Sequence, residues 1–218
     1  MDVERTVAGP VEADIEPRRG SRFRGRVVPV EDEAAAQAAL QAVAHAHPDA
    51  SHHAYAWRLP PDGGRWRAHD GGEPRGSAGA PLLRRLEGSG LVGVLVVVTR
   101  WYGGTPLGVG GLARAYGDAA AAALARVEVI ERVPSVEVEL EHGHAADPAV
   151  QALLRRLGAT PGAATFGERV RRRVTVAVRD VPTLGSLFRD ATRGDGRLRP
   201  GPFPPPGRAD PPAPAPRR

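Results

Sequence analysis

With 218 residues, 41% of them hydrophobic and only 5% aromatic, the chain can bury one large core or two small ones built mostly of Val, Leu and Ala. Its net charge of +5 suggests an acidic partner, yet all 30 basic residues are Arg and Asn is absent too, a uniform bias that points to coding composition more than to a phosphate surface. The lack of Cys excludes disulfides, thiolate metal sites and a cysteine nucleophile.

The N-terminal segment has no basic stretch followed by an apolar one, so no secretory signal is read there. The apolar run at residues 91–98 is too short to span a bilayer, and a cytoplasmic protein away from membranes is expected. Residues 24–30 predict a strand. Residues 31–46 predict an Ala-rich helix, with Asp32 as its cap and Ala36, Leu40, Val43 and His47 as its apolar stripe. Residues 51–59 alternate, with His53, Tyr55, Trp57 and Leu59 on one face, and the turn Asp62-Gly63-Gly64 leads to a hairpin partner at 65–68. Pro81 suits the first turn of a helix ending near Gly88. Residues 91–99 are continuous and β-branched, which predicts a central strand buried on both faces. A second long helix is expected over 112–126.

Arg132-Val133-Pro134 marks a boundary. Beyond it the pattern predicts strands at 135–140, 159–166 and 169–178, a weak last strand at 196–200, and helices at 147–157 and 182–191. That βαββαβ order is the ferredoxin-like pattern. The fold class is thus α+β, with domains at 1–131 and 135–203 and a disordered Pro-rich tail at 204–218.

Residues 69–120 carry the densest signal. An acidic Gly-rich loop, DGGEPRGSAGAP from Asp70, precedes RWYGGTPLGVGGLARAYG from Arg100, in which Gly103, Gly104, Gly108, Gly110 and Gly111 crowd together. Glycine at that density implies positive φ or a close approach. These two motifs, with GSRF from Gly20 and DASHHAYAWRL from Asp49, resemble the paired motifs of the YigZ/IMPACT family over residues 15–130. Two departures stand out: Gly71 where the family usually has a second Asp, and Pro106 where many members carry Lys. The resemblance implies an N-terminal β/α sandwich of the ribosomal-protein/GHMP-kinase-like type and a C-terminal domain similar to one in elongation factor G. It also implies a cytoplasmic protein linked to translation or its regulation. Eukaryotic relatives act by binding a co-activator of a stress kinase and have not been tied to catalysis.

The chemistry leaves alternatives. A Gly-rich turn opening a helix presents free N–H groups and a positive dipole end to an anion, with Arg100 and Arg114 as charged forks; equally, Gly110 and Gly111 can simply allow close packing. Asp70, Glu73 and His69 can be a metal or acid–base set, or Glu73 can cap backbone N–H groups or pair with Arg100 or Arg114, which is the preferred reading. His53 is read as a hydrogen-bonded core histidine before a catalytic one. Trp101 and Tyr102 can stack on unpaired bases, lid the sheet, or form a protein hot spot. Arg171, Arg173 and Arg179 can follow a phosphate backbone, though a solvated strand end is preferred. The expectation is a noncatalytic module with RNA or the ribosome as partner and no cofactor or metal. An enzyme acting on a phosphorylated small molecule and a protein-only regulator are the alternatives.

Overall fold

The computed structural model describes residues 3–201, so the expected tail at 204–218 lies outside the described residues. The chain divides into two compact units, with the boundary between Arg132 and Val133.

The first unit is organised by a five-stranded sheet. Its strands are β2 (Val11–Asp14), β3 (Arg22–Pro29), β4 (His52–Leu59), β5 (Arg65–His69) and β6 (Val94–Trp101), in the order β2-β3-β6-β4-β5. Every pairing in it is antiparallel. β6 is central, and its even and odd positions face different layers. Val94, Val96 and Val98 pack with α2 (Gly79–Ser89) and α3 (Gly108–Leu124). Leu95 and Val97 pack with α1 (Glu33–Ala46). Antiparallel sheets often leave one face wet; here helices cover both, which is why β6 reads as an unbroken apolar run. Each buried Val or Leu removed from water contributes roughly 1.5–3 kcal/mol. Asp32 caps α1 as predicted, accepting from the Ala35 N–H at 2.7 Å.

Two short strands, β1 (Glu4–Val7) and β7 (Val129–Arg132), pair antiparallel as a separate ribbon. Neither was visible in the sequence pattern, because four residues are too few for alternation to register and β7 is mostly exposed.

The second unit runs β8 (Ser135–His142), α4 (Asp147–Arg156), β9 (Thr160–Phe166), β10 (Val170–Ala177), α5 (Val181–Ala191) and β11 (Arg197–Pro200). The sheet order is β11-β8-β10-β9, antiparallel throughout. Val138, Leu140, Val174 and Val176 meet Val150, Leu154, Leu184 and Phe188 on its covered face. Among the described residues, no helix is long and apolar enough to cross a membrane.

Candidate functional site

β6 delivers three consecutive residues, Thr99, Arg100 and Trp101, to its end, and strand alternation sorts them. Arg100 continues the face that packs on α2 and α3, while Thr99 and Trp101 continue the α1 face. Arg100 is only 4% exposed, so its charge requires a partner. Glu73 Oε1 supplies it, accepting from Arg100 Nη1 at 2.7 Å and from the Tyr116 hydroxyl at 2.7 Å. His52 Nε2 stands 3.9 Å from the same oxygen. Arg100 Nη2 donates to Ser21 Oγ at 3.1 Å, and the Gly103 N–H donates to that same hydroxyl at 3.1 Å. The guanidinium lies against the rings of Tyr102 at 5.2 Å and Phe23 at 5.5 Å. Burial first, then the hydrogen bond to Glu73, push the Tyr116 phenol far up, so it remains a donor at every physiological pH.

The acidic loop therefore divides its labour. Glu73 turns inward to neutralise Arg100. Asp70 instead accepts from the N–H groups of Gly76 at 2.9 Å, Ala78 at 3.0 Å and Gly79 at 2.8 Å, tying the loop to the first residue of α2. Capping and pairing were both foreseen for Glu73; the capping falls to Asp70. At Gly71, φ is +61°, and a Cβ there would overlap the His53 carbonyl, so the family's usual Asp does not fit this backbone. Among the described residues, no three His, Cys, Asp or Glu side chains converge as a metal-sized group.

On the opposite face, His53 Nδ1 lies 3.1 Å from Thr99 Oγ1, and burial holds its imidazole below the ordinary value. Trp101 Nε1 donates to Asp49 at 2.9 Å, its ring meets His47 edge-on, and Arg22 sits over it at 4.9 Å. Trp101 is thus partly covered, whereas Tyr102 is 48% exposed.

The segment after β6 departs from the sequence reading in one respect. α3 begins at Gly108, four residues before the expected start, so Gly108, Gly110 and Gly111 are its first turn and Arg114 lies on the second. Poor helix propensity at glycine hid that turn. Gly103 packs backbone to backbone against Gly20; a Cβ on Gly103 would overlap the Gly20–Ser21 peptide. Gly108 has φ +71°, which only glycine adopts cheaply. Gly104 and Gly110 would each place a Cβ in open space. Residues 102–111 thus form a rim without a charged side chain, on which Val109 is 59% exposed.

Beside the rim, Arg18, Arg19, Leu107, Gly111 and Arg114 line a cleft of about 290 Å³. Of the residues singled out from sequence, the structure joins Glu73 to Arg100 beneath the surface and leaves Arg114 exposed above it. Arg100 consequently reaches the rim only through Tyr102 and Gly103, as a support and not as a free charge. Sequence reasoning missed Ser21, His52, Tyr116, Arg18 and Arg19 as members. Ser21 stands inside the GSRF motif and Tyr116 inside ARAYG, which was the available signal.

In the second unit, Arg171 pairs with Glu141 at 2.9 Å, and Arg173 lies between Glu137 and Glu139 at 3.9 and 4.0 Å. Arg172 is turned to the other face, onto Asp147 at 2.9 Å. The open sheet face is a ladder of alternating charge and not a basic track.

Residues 19–124 match the Impact N-terminal domain. The chain is 33% identical over 193 residues to the IMPACT family member YigZ of Escherichia coli, covering 88% of this chain and 94% of that protein. It is 46% identical over 132 residues to a Thermus thermophilus protein described as an IMPACT family member in the pol 5' region, covering 56% of this chain and 70% of that one. A solved structure described only as that of a hypothetical protein superposes with a TM-score of 0.70 at 32% identity, covering 91% of this chain and 97% of its own.

Proposed function

From membership of the IMPACT family, to which this chain belongs, we propose that the protein is a noncatalytic binding module that associates with RNA or the ribosome and is linked to translation in the cytoplasm. One observation carries the reading: the rim at 102–111 is exposed, lacks charged side chains and is held from below by a buried ion cluster. Tyr102 offers a ring face to an unpaired base, and Gly104 and Gly110 allow a nucleic-acid backbone to approach the main chain without meeting a side chain. The two carboxylates of the acidic loop are both committed, Asp70 to backbone N–H groups and Glu73 to Arg100 and Tyr116, so neither stands free as a general base. The β-α-β-β-α-β order of the second unit is consistent with a ferredoxin-like domain, and the helix-covered sheet of the first with the ribosomal-protein/GHMP-kinase-like type.

Short single-stranded RNA should bind the full chain at low salt, with affinity falling as salt rises. Tyr102→Ala should weaken it by the stacking of one base, about 1–3 kcal/mol, and should weaken duplex RNA less. Fluorescence anisotropy reads both. Absence of any RNA binding by the wild type at low salt defeats this reading and favours a protein partner.

A further inference from the structure

We infer that the cleft between the β2–β3 connection and the start of α3 seats one phosphoryl group, gripped by Arg18, Arg19 and Arg114. The inference deepens the nucleic-acid reading and rests on it for the wider ligand, since a phosphoryl group arrives either within an RNA backbone or on a small phosphorylated compound. The supporting observation is a charge imbalance in a half-open cleft.

Three arginines line about 290 Å³, at the lower edge of the range for small-ligand sites. Their carboxylate contact is Asp118, 3.3 Å from Arg18, and it is shared with Arg85 at 3.8 Å. Arg19 Nη1 donates to the Pro106 carbonyl at 3.0 Å, a bond that fixes the side chain beside the rim while leaving its charge uncompensated. Arg114 is exposed and has no ion pair or hydrogen bond among the described residues. Each guanidinium carries five donors, so most donors facing this cleft are unfilled.

Coding bias accounts for the abundance of arginine in the chain but not for this placement. Several other arginines of the first unit each meet a carboxylate: Arg24 with Asp14, Arg26 with Glu12, Arg65 with Glu33. Here three arginines line one cleft with a single carboxylate contact, Asp118, itself shared with Arg85, a repulsive arrangement that an anion relieves. Arginine forks match tetrahedral oxyanions bidentately. The seat is also small: Leu107 and Pro17 complete its wall, leaving room for a phosphate and part of a sugar.

The test uses the full chain and two probes, inorganic phosphate and single-stranded RNA. The variants are Arg114→Ala, which breaks no internal contact, and Arg19→Lys, which keeps a charge and a donor but loses the fork. If RNA is the source, Arg114→Ala lowers the salt slope of RNA binding by about 0.7–1 with the melting temperature unchanged, and Arg19→Lys weakens binding with the slope kept. If a small phosphorylated compound is the source, inorganic phosphate raises the wild-type melting temperature relative to chloride at equal ionic strength, and Arg114→Ala abolishes the rise. That result supports the seat even if RNA does not bind, which separates it from failure of the nucleic-acid reading. RNA binding with wild-type affinity and slope in both variants, together with no Arg114-dependent stabilisation by phosphate, overturns the inference. So does the absence of both RNA binding and phosphate stabilisation.

Discussion

The molecule uses arginine–carboxylate pairs in two opposite ways. In the first unit, Arg100 and Glu73 have side chains 5% and 3% exposed and draw in Tyr116 and Ser21 from distant elements. In the second, Arg173 and Glu137 lie on an open sheet with more than half of each side chain in water. Charges removed from water need every partner they have, whereas charges on a wet sheet are already solvated and gain little from pairing. A buried pair therefore fixes geometry, and an exposed ladder keeps a sheet face soluble and electrically even. The contrast locates the candidate site in the first unit without any appeal to total charge.

The contrast breaks most visibly at Glu73. Glu73→Ala strands a buried guanidinium and a buried phenol, and should cost about 3–5 kcal/mol in urea unfolding. A loss below 1 kcal/mol, within the range of an exposed pair, would mean the cluster is not the structural hub described. Next is Asp70→Ala, which removes an acceptor from three backbone N–H groups and should cost about 1–2 kcal/mol, in the range of a lost helix cap. Proteolysis within 70–78 would rise with it.

A smaller effect is expected from His53. Burial depresses its folded-state value, so below the ordinary imidazole value the unfolded chain binds more protons than the folded one. Its contribution is therefore full at neutral pH and declines as pH falls through the unfolded value toward the folded one. His53→Gln should flatten that decline in the urea midpoint; an identical pH profile in the variant would assign the decline to other groups. Smallest of all, Arg173→Ala should change stability by less than about 0.5 kcal/mol and leave RNA affinity untouched. A large loss of RNA binding there would move the site to the second unit.

The strands and helices that the sequence disclosed share one property: their signal is local. Asp32 before an Ala-rich run, the valine stretch of β6 and Asp147-Pro148 before α4 each announce an element within a few residues. What escaped was short or glycine-rich: β1, β2, β7 and the first turn of α3. For the site, the motifs at Asp70 and Arg100 mark the segments that carry the ion pair, and pairing of Glu73 with Arg100 is one of the partners the sequence offers. Which carboxylate would cap and which would pair was not legible, because that depends on backbone direction across the loop. The convergence of Arg18 and Arg19 on Arg114 was not legible either, since roughly a hundred residues of chain separate them and only the folded sheet brings the β2–β3 connection to α3.

Gly25 on β3 lies so close to α3 that a Cβ there would overlap the Ala119 carbonyl. Helix and sheet therefore touch main chain to main chain, with no side chain between them to act as a cushion. The helix that begins at the rim has little freedom to slide or tilt, and Gly103 is clamped to Gly20 at the other end of the same surface. A ligand meeting this edge finds a backbone whose freedom was lost when the protein folded. Little ordering remains to oppose association, and affinity is set by the contacts themselves.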